Sequence, residues 1–284
     1  MIRNLKDLSF DEIAEAFLDA FADYNVSFDK TALEAMFKRR GADLSLSFAA
    51  LDNGKIVSFI FNGIGEFDGQ PAAYDTGTGT IKEYRGQHLT DRIFEYSEPL
   101  LARAGIKRYV LEVLKDNIPA VKIYSRLGFE VQRELVCYNG DNDVVKKNLS
   151  GRGAADLVIE KVPVESILPL TSFMDFTPSW QNSTESLLRN PKAFTSVVAY
   201  IDGKPAGYGV SETAFGDISQ IAVAPEYRRM GVGSRILLEL LNNVEIERSK
   251  VLNIDASCEG MKRFLTNCGY EVSALQYEMV KPLS

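Results

Sequence analysis

The sequence predicts an α/β protein made of two copies of one domain in tandem. Three observations point there. The chain has 284 residues, enough for two domains of about 150 residues each. A self-similarity recurs near half that length: Tyr84-Arg85-Gly86-Gln87-His88-Leu89-Thr90 aligns with Tyr227-Arg228-Arg229-Met230-Gly231-Val232-Gly233, 143 residues further on. Strand-like and helix-like runs flank both motifs in the same order, and only two copies occur, which excludes a solenoid of short units.

In the first copy, Phe10-Asp11-Glu12-Ile13-Ala14-Glu15-Ala16-Phe17 reads as a helix. A strand ending at Leu51, a turn at Asp52-Asn53-Gly54-Lys55 and a return through Ile56–Ile60 form a hairpin, because Asn-Gly favours the tight turns that join antiparallel strands. Thr78-Gly79-Thr80-Ile81 is a strand run before the motif, and Arg92–Tyr96 has helical period after it. Gly128-Phe129-Glu130-Val131 opens a closing strand. Tyr138–Asp143 carries turn residues and Asn148–Gly153 is polar and Gly-rich, so a linker is placed near 140–155. The domains become 1–145 and 156–284. The second copy repeats the order: Ser196–Ile201, Asp202-Gly203-Lys204, Pro205–Val210, the strand run Ile221-Ala222-Val223-Ala224, the helical run Arg235–Leu240, then Gly269-Tyr270-Glu271-Val272.

Composition narrows the function. No apolar run of about 18 residues exists, so no membrane span is expected. The charged start Met1–Asp7 has no apolar core of a signal peptide, and the chain is expected in the cytoplasm. Cys137, Cys258 and Cys268 fit free thiols, wholly or partly buried. One histidine and no cysteine pair at ligand spacing argue against a metal. Net charge is -7, with 19 basic against 23 acidic residues before Gly151 and 13 against 16 after it. Neither half is basic, which disfavours nucleic acid as a partner.

The motif itself has chemistry. Arg228-Arg229-Met230-Gly231-Val232-Gly233 joins a strand to a helix. A helix start leaves several backbone N–H groups unpaired and carries about half a positive charge. Gly231 and Gly233 let an anion approach those amides, and the two arginines add charge: the parts of a diphosphate cradle. A plain strand–helix turn is the alternative. The dinucleotide fingerprint and the Walker Lys-Ser/Thr are both missing.

These residues resemble the GNAT superfamily of acyl-CoA-dependent N-acetyltransferases, whose cofactor loop reads Arg/Gln-x-x-Gly-x-Gly/Ala. The second copy matches at Arg228, Gly231 and Gly233; the first matches at Arg85 only, with His88 and Thr90 in the other places. Leu111-Glu112-Val113, Asn117, Ala120, Tyr124 and Gly128-Phe129 continue the likeness, which covers roughly residues 45–138 and 195–281. The resemblance implies two GNAT-like domains, each a mixed, mostly antiparallel central sheet flanked by helices. It implies acetyl-CoA (CoA) held by Ile221, Ala222, Val223, Arg228, Arg229, Met230, Gly231, Val232, Gly233 and Ser234 in one copy. In the other it implies Thr78, Gly79, Thr80, Arg85, Gly86, Gln87, His88, Leu89, Thr90 and Asn117. Tyr124 stands where the family places the proton donor for the departing thiolate; the second copy has Leu265 there and Cys258 in place of Asn117.

Residues of a first helical turn have negative φ, so His88 is expected to weaken close approach of the cofactor without altering the backbone. Phe173–Ser183, with the sole Trp180, fits either an acceptor or interface loop or a junction in which Ser183 caps a helix and Trp180 anchors it. Lys38-Arg39-Arg40 is expected as a solvated helix end. Asp19, Asp23 and Tyr24 are candidates for the acceptor side, with a surface face as the alternative for the aspartates. Asp75 and Asp217 stand as candidate bases against a default of strand ends in solvent. The expected activity is acetyl transfer from acetyl-CoA to the amine of a small molecule or peptide, by a monomer or homodimer. Rival readings are a non-catalytic acyl-CoA-binding or regulatory protein, and one active domain on a scaffold.

Overall fold

The computed structural model describes residues 1–23, 29–151 and 156–283. In chain order its elements are β1 (Ile2–Asn4), α1 (Phe10–Ala20), α2 (Lys30–Arg40), β2 (Phe48–Asp52), β3 (Lys55–Phe67), β4 (Gln70–Thr80), α3 (Leu89–Arg103), β5 (Arg108–Leu114) and α4 (Ile118–Arg126). There follow β6 (Glu130–Asp141), α5 (Asn142–Leu149), β7 (Val158–Val162), α6 (Thr184–Arg189), β8 (Phe194–Ile201), β9 (Lys204–Glu212) and β10 (Asp217–Val223). The chain closes with α7 (Val232–Leu241), β11 (Arg248–Asp255), α8 (Glu259–Cys268) and β12 (Glu271–Pro282).

Two compact units result: Met1–Gln132 with Tyr277–Ser284, and Arg133–Gln276. The first has strand order β1-β2-β3-β4-β5-β12, antiparallel from β1 to β4 and parallel between β4 and β5. The second has the order β6-β11-β10-β9-β8-β7, with β10–β11 parallel and β6–β11, β9–β10, β8–β9 and β7–β8 antiparallel. Each is a mixed, mostly antiparallel sheet flanked by helices, as expected. Residues 133–145 fall in the second unit and Tyr277–Ser284 in the first.

Local chemistry explains the elements. Ser9 caps α1 through a reciprocal box with Glu12, so two orphan amides are satisfied at once. Three hairpin turns put consecutive residues at positive φ, Asn53 and Gly54, Asp68 and Gly69, and Asp202 and Gly203, the geometry a two-residue turn demands. The segment read as a linker is different. Asp141 accepts from the amides of Asp143 and Val144 and caps α5, whose Val145 and Leu149 are buried in the second unit. Asp and Asn serve turns and helix caps by the same side-chain hydrogen bond, which is why Asp141-Asn142-Asp143 looks like a turn in sequence. Residues 152–155 of that segment lie outside the described residues.

The first unit packs α3 on one face of its sheet and α1 with α2 on the other. Met279 and Leu283 from the chain's end sit in the α3-side core, and the Leu283 amide donates to the Lys107 carbonyl at 2.8 Å. Met279→Ala should therefore destabilise the first unit by about 2–5 kcal/mol, the cost of an emptied core site. Hydrogen exchange should show protection falling in Phe48–Phe129 while α7 and β9 of the second unit keep theirs.

Candidate active site

Each unit holds one pair of parallel strands that part company. β4 and β5 pair at Ala72–Arg108, Ala73–Tyr109 and Tyr74–Val110; β4 then runs on to Thr80 without further pairing to β5. β10 and β11 pair at Asp217–Lys250 and also diverge. One extra residue bulges from the departing strand in each unit: Thr76, between the Asn62–Asp75 and Phe61–Gly77 pairs, and Ser219, between the Ser211–Ile218 and Val210–Gln220 pairs. Counting from these bulges, Asp75 and Ile218 hold the same place, the first residue past the last parallel rung.

The loop after each departing strand has one backbone design. Positive φ falls on the first and third residues after the motif arginine: Gly86 (78°) and His88 (55°), Arg229 (64°) and Gly231 (85°). Each unit thus has one glycine and one side-chain-bearing residue in the left-handed region. His88 is the N-cap of α3, not part of its first turn, so the expectation of negative φ there is overturned. The left-handed shape costs an L-residue about 1–2 kcal/mol, with histidine among the better tolerated types. His88→Val should accordingly lower stability by about 1–2 kcal/mol while His88→Gly does not lower it, as read by urea denaturation.

Neither His88 nor Gly231 makes a side-chain cap, in contrast to Ser9, Asp29, Asn117, Asp141 and Ser183 on other helices. The first amides of α3 and α7 are left open for an anion. A Cβ at Gly86 meets nothing within 4 Å, so this cradle is roomy. These features fit a diphosphate. The units differ in charge: Asp91, paired with His88 and Arg126, lies in the first turn of α3, while α7 has no acidic residue there. The cradle of the second unit is the more positive.

The other residues named for the cofactor divide. Arg85 is exposed but folded back on its own unit: its Nε donates to the Thr80 carbonyl at 3.1 Å, its Nη2 to the Ala20 carbonyl at 2.9 Å, and Nη1 pairs with Asp23 at 3.3 Å. Arg228 repeats this on Val223, Phe173 and Asp175 at 3.0, 3.3 and 2.9 Å. Both arginines tie the end of the departing strand to the segment ahead of the sheet. Asp23 is thereby a structural ion pair; Asp19 lies exposed on α1 and Tyr24 lies outside the described residues. Gly79 is required by packing, because a Cβ there would stand 2.5 Å from the Phe59 ring. Thr80 shares a hydroxyl contact with Ser58 at 2.8 Å and with Thr90 at 3.5 Å. Gln87 donates to the Glu83 carbonyl at 3.5 Å. Leu89 and Ile221 pack against the cores, Ala222 and Val232 are buried in them, Ser234 is buried and Met230 is exposed. Asn117 caps α4 by accepting from the Ala120 amide; Cys258 makes no such bond.

Tyr124 reaches from α4 over the apex of the first opening. Its ring meets Phe94 and Phe129 edge-on, and its hydroxyl donates to Asp75 Oδ2 at 3.3 Å. Thr78 Oγ1 donates to the same oxygen at 2.7 Å. Asp75 Oδ1 is shielded from solvent and has no hydrogen-bond partner. Burial pushes the Asp75 carboxyl up to about 6, against the pull of the bonds from Thr78 and Tyr124. Asp75 is therefore not a strand end in solvent, and neither is Asp217, which is buried. Arg39 is buried, and Arg40 donates from Nη1 to the bulged Thr76 carbonyl at 2.9 Å; the basic run is no solvated helix end. Tyr74 bonds with Glu112 of β5, and burial together with that carboxylate holds its phenol well above the usual range. The roles of Glu112 and Arg40 depend on which strands meet, a fact that no local pattern carries.

The second opening is furnished differently. Ile218 and Leu265 are fully buried where the first unit has Asp75 and Tyr124. Ser179–Asn182 is buried, and it bridges the diverging strands: Gln220 Nε2 of β10 donates to the Asn182 carbonyl at 2.6 Å, and Asn182 Nδ2 donates to the Leu252 carbonyl of β11 at 2.9 Å. Ser183 caps α6, and Arg189 stacks on Trp180. The junction reading of that segment holds. What remains open is a mainly apolar slot lined by Met174, Phe176, Ile221, Ile254, Met261 and Leu265. Asn253, in a left-handed bulge of β11, is held there by Ser179 and Gln276. Among the described residues no cluster of metal-ligating side chains occurs, and no helix is long and apolar enough to cross a membrane.

The family model for Acetyltransferase (GNAT) matches residues 10–129 and 165–270. The chain belongs to the GNAT acetyltransferase family. A relative, N-alpha-acetyltransferase 30 of Schizosaccharomyces pombe, is 31% identical over 93 residues, which span 32% of this chain and 62% of that relative's length. Among solved GNAT structures, a tandem GNAT protein from the clavulanic acid biosynthesis pathway has TM-score 0.76 at 14% identity, with 100% of this chain and 98% of that one covered. A GCN5-related N-acetyltransferase from Sphaerobacter thermophilus has TM-score 0.69 at 14% identity, covering 100% and 95%. A putative acetyltransferase from Pyrococcus horikoshii has 0.67 at 14%, covering 100% and 89%.

Proposed function

We propose that the chain moves the acetyl group of acetyl-CoA to an amine of a small molecule or peptide, and that the first unit performs the transfer. The observation that carries this reading is the bond from Tyr124 to Asp75 at the apex of the first opening. An acid–base pair sits where two strands part, and its counterpart in the second unit is Ile218 with Leu265. The backbone amides of Gly86–Thr90, and those of Gly231–Ser234, would hold the cofactor's diphosphate. The departing segment Asp75–Thr80 would lie along its pantetheine arm. Bound there, acetyl-CoA supplies an activated acyl group as a thioester. The protein contributes position, a dry apex and a phenolic proton.

On this reading the second unit holds CoA without transferring from it, since Ile218 and Leu265 stand where the first unit has the carboxyl and the phenol. The protein works in the cytoplasm as a monomer or homodimer, without nucleic acid or membrane as partner.

Two substitutions separate the units. Tyr124→Phe keeps the ring against Phe94 and Phe129 and removes the proton, so turnover should fall about 10²–10⁴-fold with acetyl-CoA affinity little changed. Gly231→Glu puts a strained backbone and a negative charge in the second cradle; calorimetry should show one CoA site lost, with the rate of the first unit retained. Thiol release with a panel of amines measures the rates. A Tyr124→Phe protein with full turnover would move the chemistry out of the first unit.

A further inference from the structure

The slot of the second unit lies between β10 and β11, with Met174, Phe176, Ile218, Ile221, Met261 and Leu265 in its lining. Ile218 and Leu265 are buried, whereas Met174, Phe176, Ile221 and Met261 stay half-buried. Apolar side chains that converge on a concave place and keep part of their surface in water mark a ligand site. The carboxylate and the three carboxamides around the slot are already engaged. Asp175 pairs with Arg228 at 2.9 Å. Gln220 bonds with Tyr208 and Asn182, and Asn182 reaches across to Leu252. Asn253, left-handed in the bulge of β11, is pinned by Ser179 and Gln276. An ammonium or hydroxyl entering here would exchange water for apolar walls at a cost. An aliphatic chain gains from the same burial.

The slot adjoins the cradle of the same unit. β10 runs from Ile218 and Ile221, in the slot, to Val223, whose Cγ2 stands 3.5 Å from the place a Cβ on Gly233 would take. The Phe264 ring stands 3.7 Å from that place, and its neighbours on α8, Met261 and Leu265, line the slot. One strand and one helix thus lead from the open amides of α7 to the apolar walls.

We propose that the second unit is a site for a CoA thioester whose acyl group is an aliphatic chain longer than acetyl, and that it holds this thioester without transferring from it. The proposal rests on the reading that the second cradle takes CoA, and it names the acyl group. The cradle would hold the diphosphate, and the slot would take the chain. The two units then differ in the thioester they prefer. Asp75 and Tyr124 stand in the first where Ile218 and Leu265 stand in the second. A long chain at the first apex would strip water from a carboxyl and a phenol, so that unit gains nothing from added methylenes.

Calorimetry of the full chain with acetyl-, butanoyl- and hexanoyl-CoA tests this. The binding that Gly231→Glu removes should tighten about fourfold for each methylene added to the acyl chain. Binding that survives in Gly231→Glu should not tighten. Met261→Glu puts a carboxylate into the slot and should lose the gain with hexanoyl-CoA; Met261→Leu should keep it. Urea transitions of both variants report their folding. Thiol release with the amine panel should show no hexanoyl turnover that depends on Gly231. A protein in which Gly231→Glu removes no thioester binding overturns the reading of the second cradle and this proposal with it. A Gly231-dependent site that takes the three thioesters alike overturns the proposal alone. So does a folded Met261→Glu variant with its hexanoyl-CoA affinity intact, or hexanoyl turnover that Gly231→Glu abolishes.

Discussion

Everything in the site depends on a parallel ladder that stops early. Three rungs join β4 to β5, and then the strands separate. Past that point the β5-facing edge of β4 has no strand to pair with, although its backbone groups still need partners. A sheet interior that opens in this way is costly unless something completes it. The bulge at Thr76, held by Arg40, fixes the place where the opening begins. Arg85, tied to Thr80, fixes the place where it ends. Between those two points lies a length of strand whose β5-facing edge is unpaired.

The second unit keeps the same frame and changes its contents. Its bulge, its strand-tying arginine and its left-handed loop positions all recur. The carboxyl and the phenol of the first apex do not. The opening instead receives Asn182, whose carboxamide and carbonyl satisfy Leu252 and Gln220 across the gap. One backbone solution therefore serves two ends. In the first unit titratable groups stand at the apex; in the second, amides and aliphatics leave a mainly apolar slot. The more positive cradle lies in the unit whose apex carries no titratable pair.

The repeat and the cofactor motif are legible in the sequence because they are local: a strand, an arginine, a glycine and a helix within about twenty residues. The backbone of His88 is not, because its φ depends on being the cap of α3, and a cap is one residue away from a first turn. In sequence Asp75 and Asp217 stand as equal candidate bases with solvent as the default, since what sets Asp75 apart is Tyr124, 49 residues away. Arg39 and Arg40 look like a helix end complementing its dipole, and the partner of Arg40 is a carbonyl of β4. Asp141-Asn142 looks like a turn, because the same residues cap helices. For Asp75 and Arg40 alike, what the sequence withholds is a partner brought up by a distant element.

The allocation of the final strands has a consequence for synthesis. β12 completes the first unit, yet 144 residues of the second unit, Arg133–Gln276, are made before it. At about 5–20 residues per second a ribosome spends on the order of ten seconds or more on that stretch. Throughout it the apolar β5, with Tyr109, Val110, Leu111 and Val113 in its core face and flank, has an unfilled neighbour. Such an edge is a template for pairing with the wrong chain. The nascent protein thus passes through a window for mispairing that the finished molecule does not have, and slow translation lengthens the exposure.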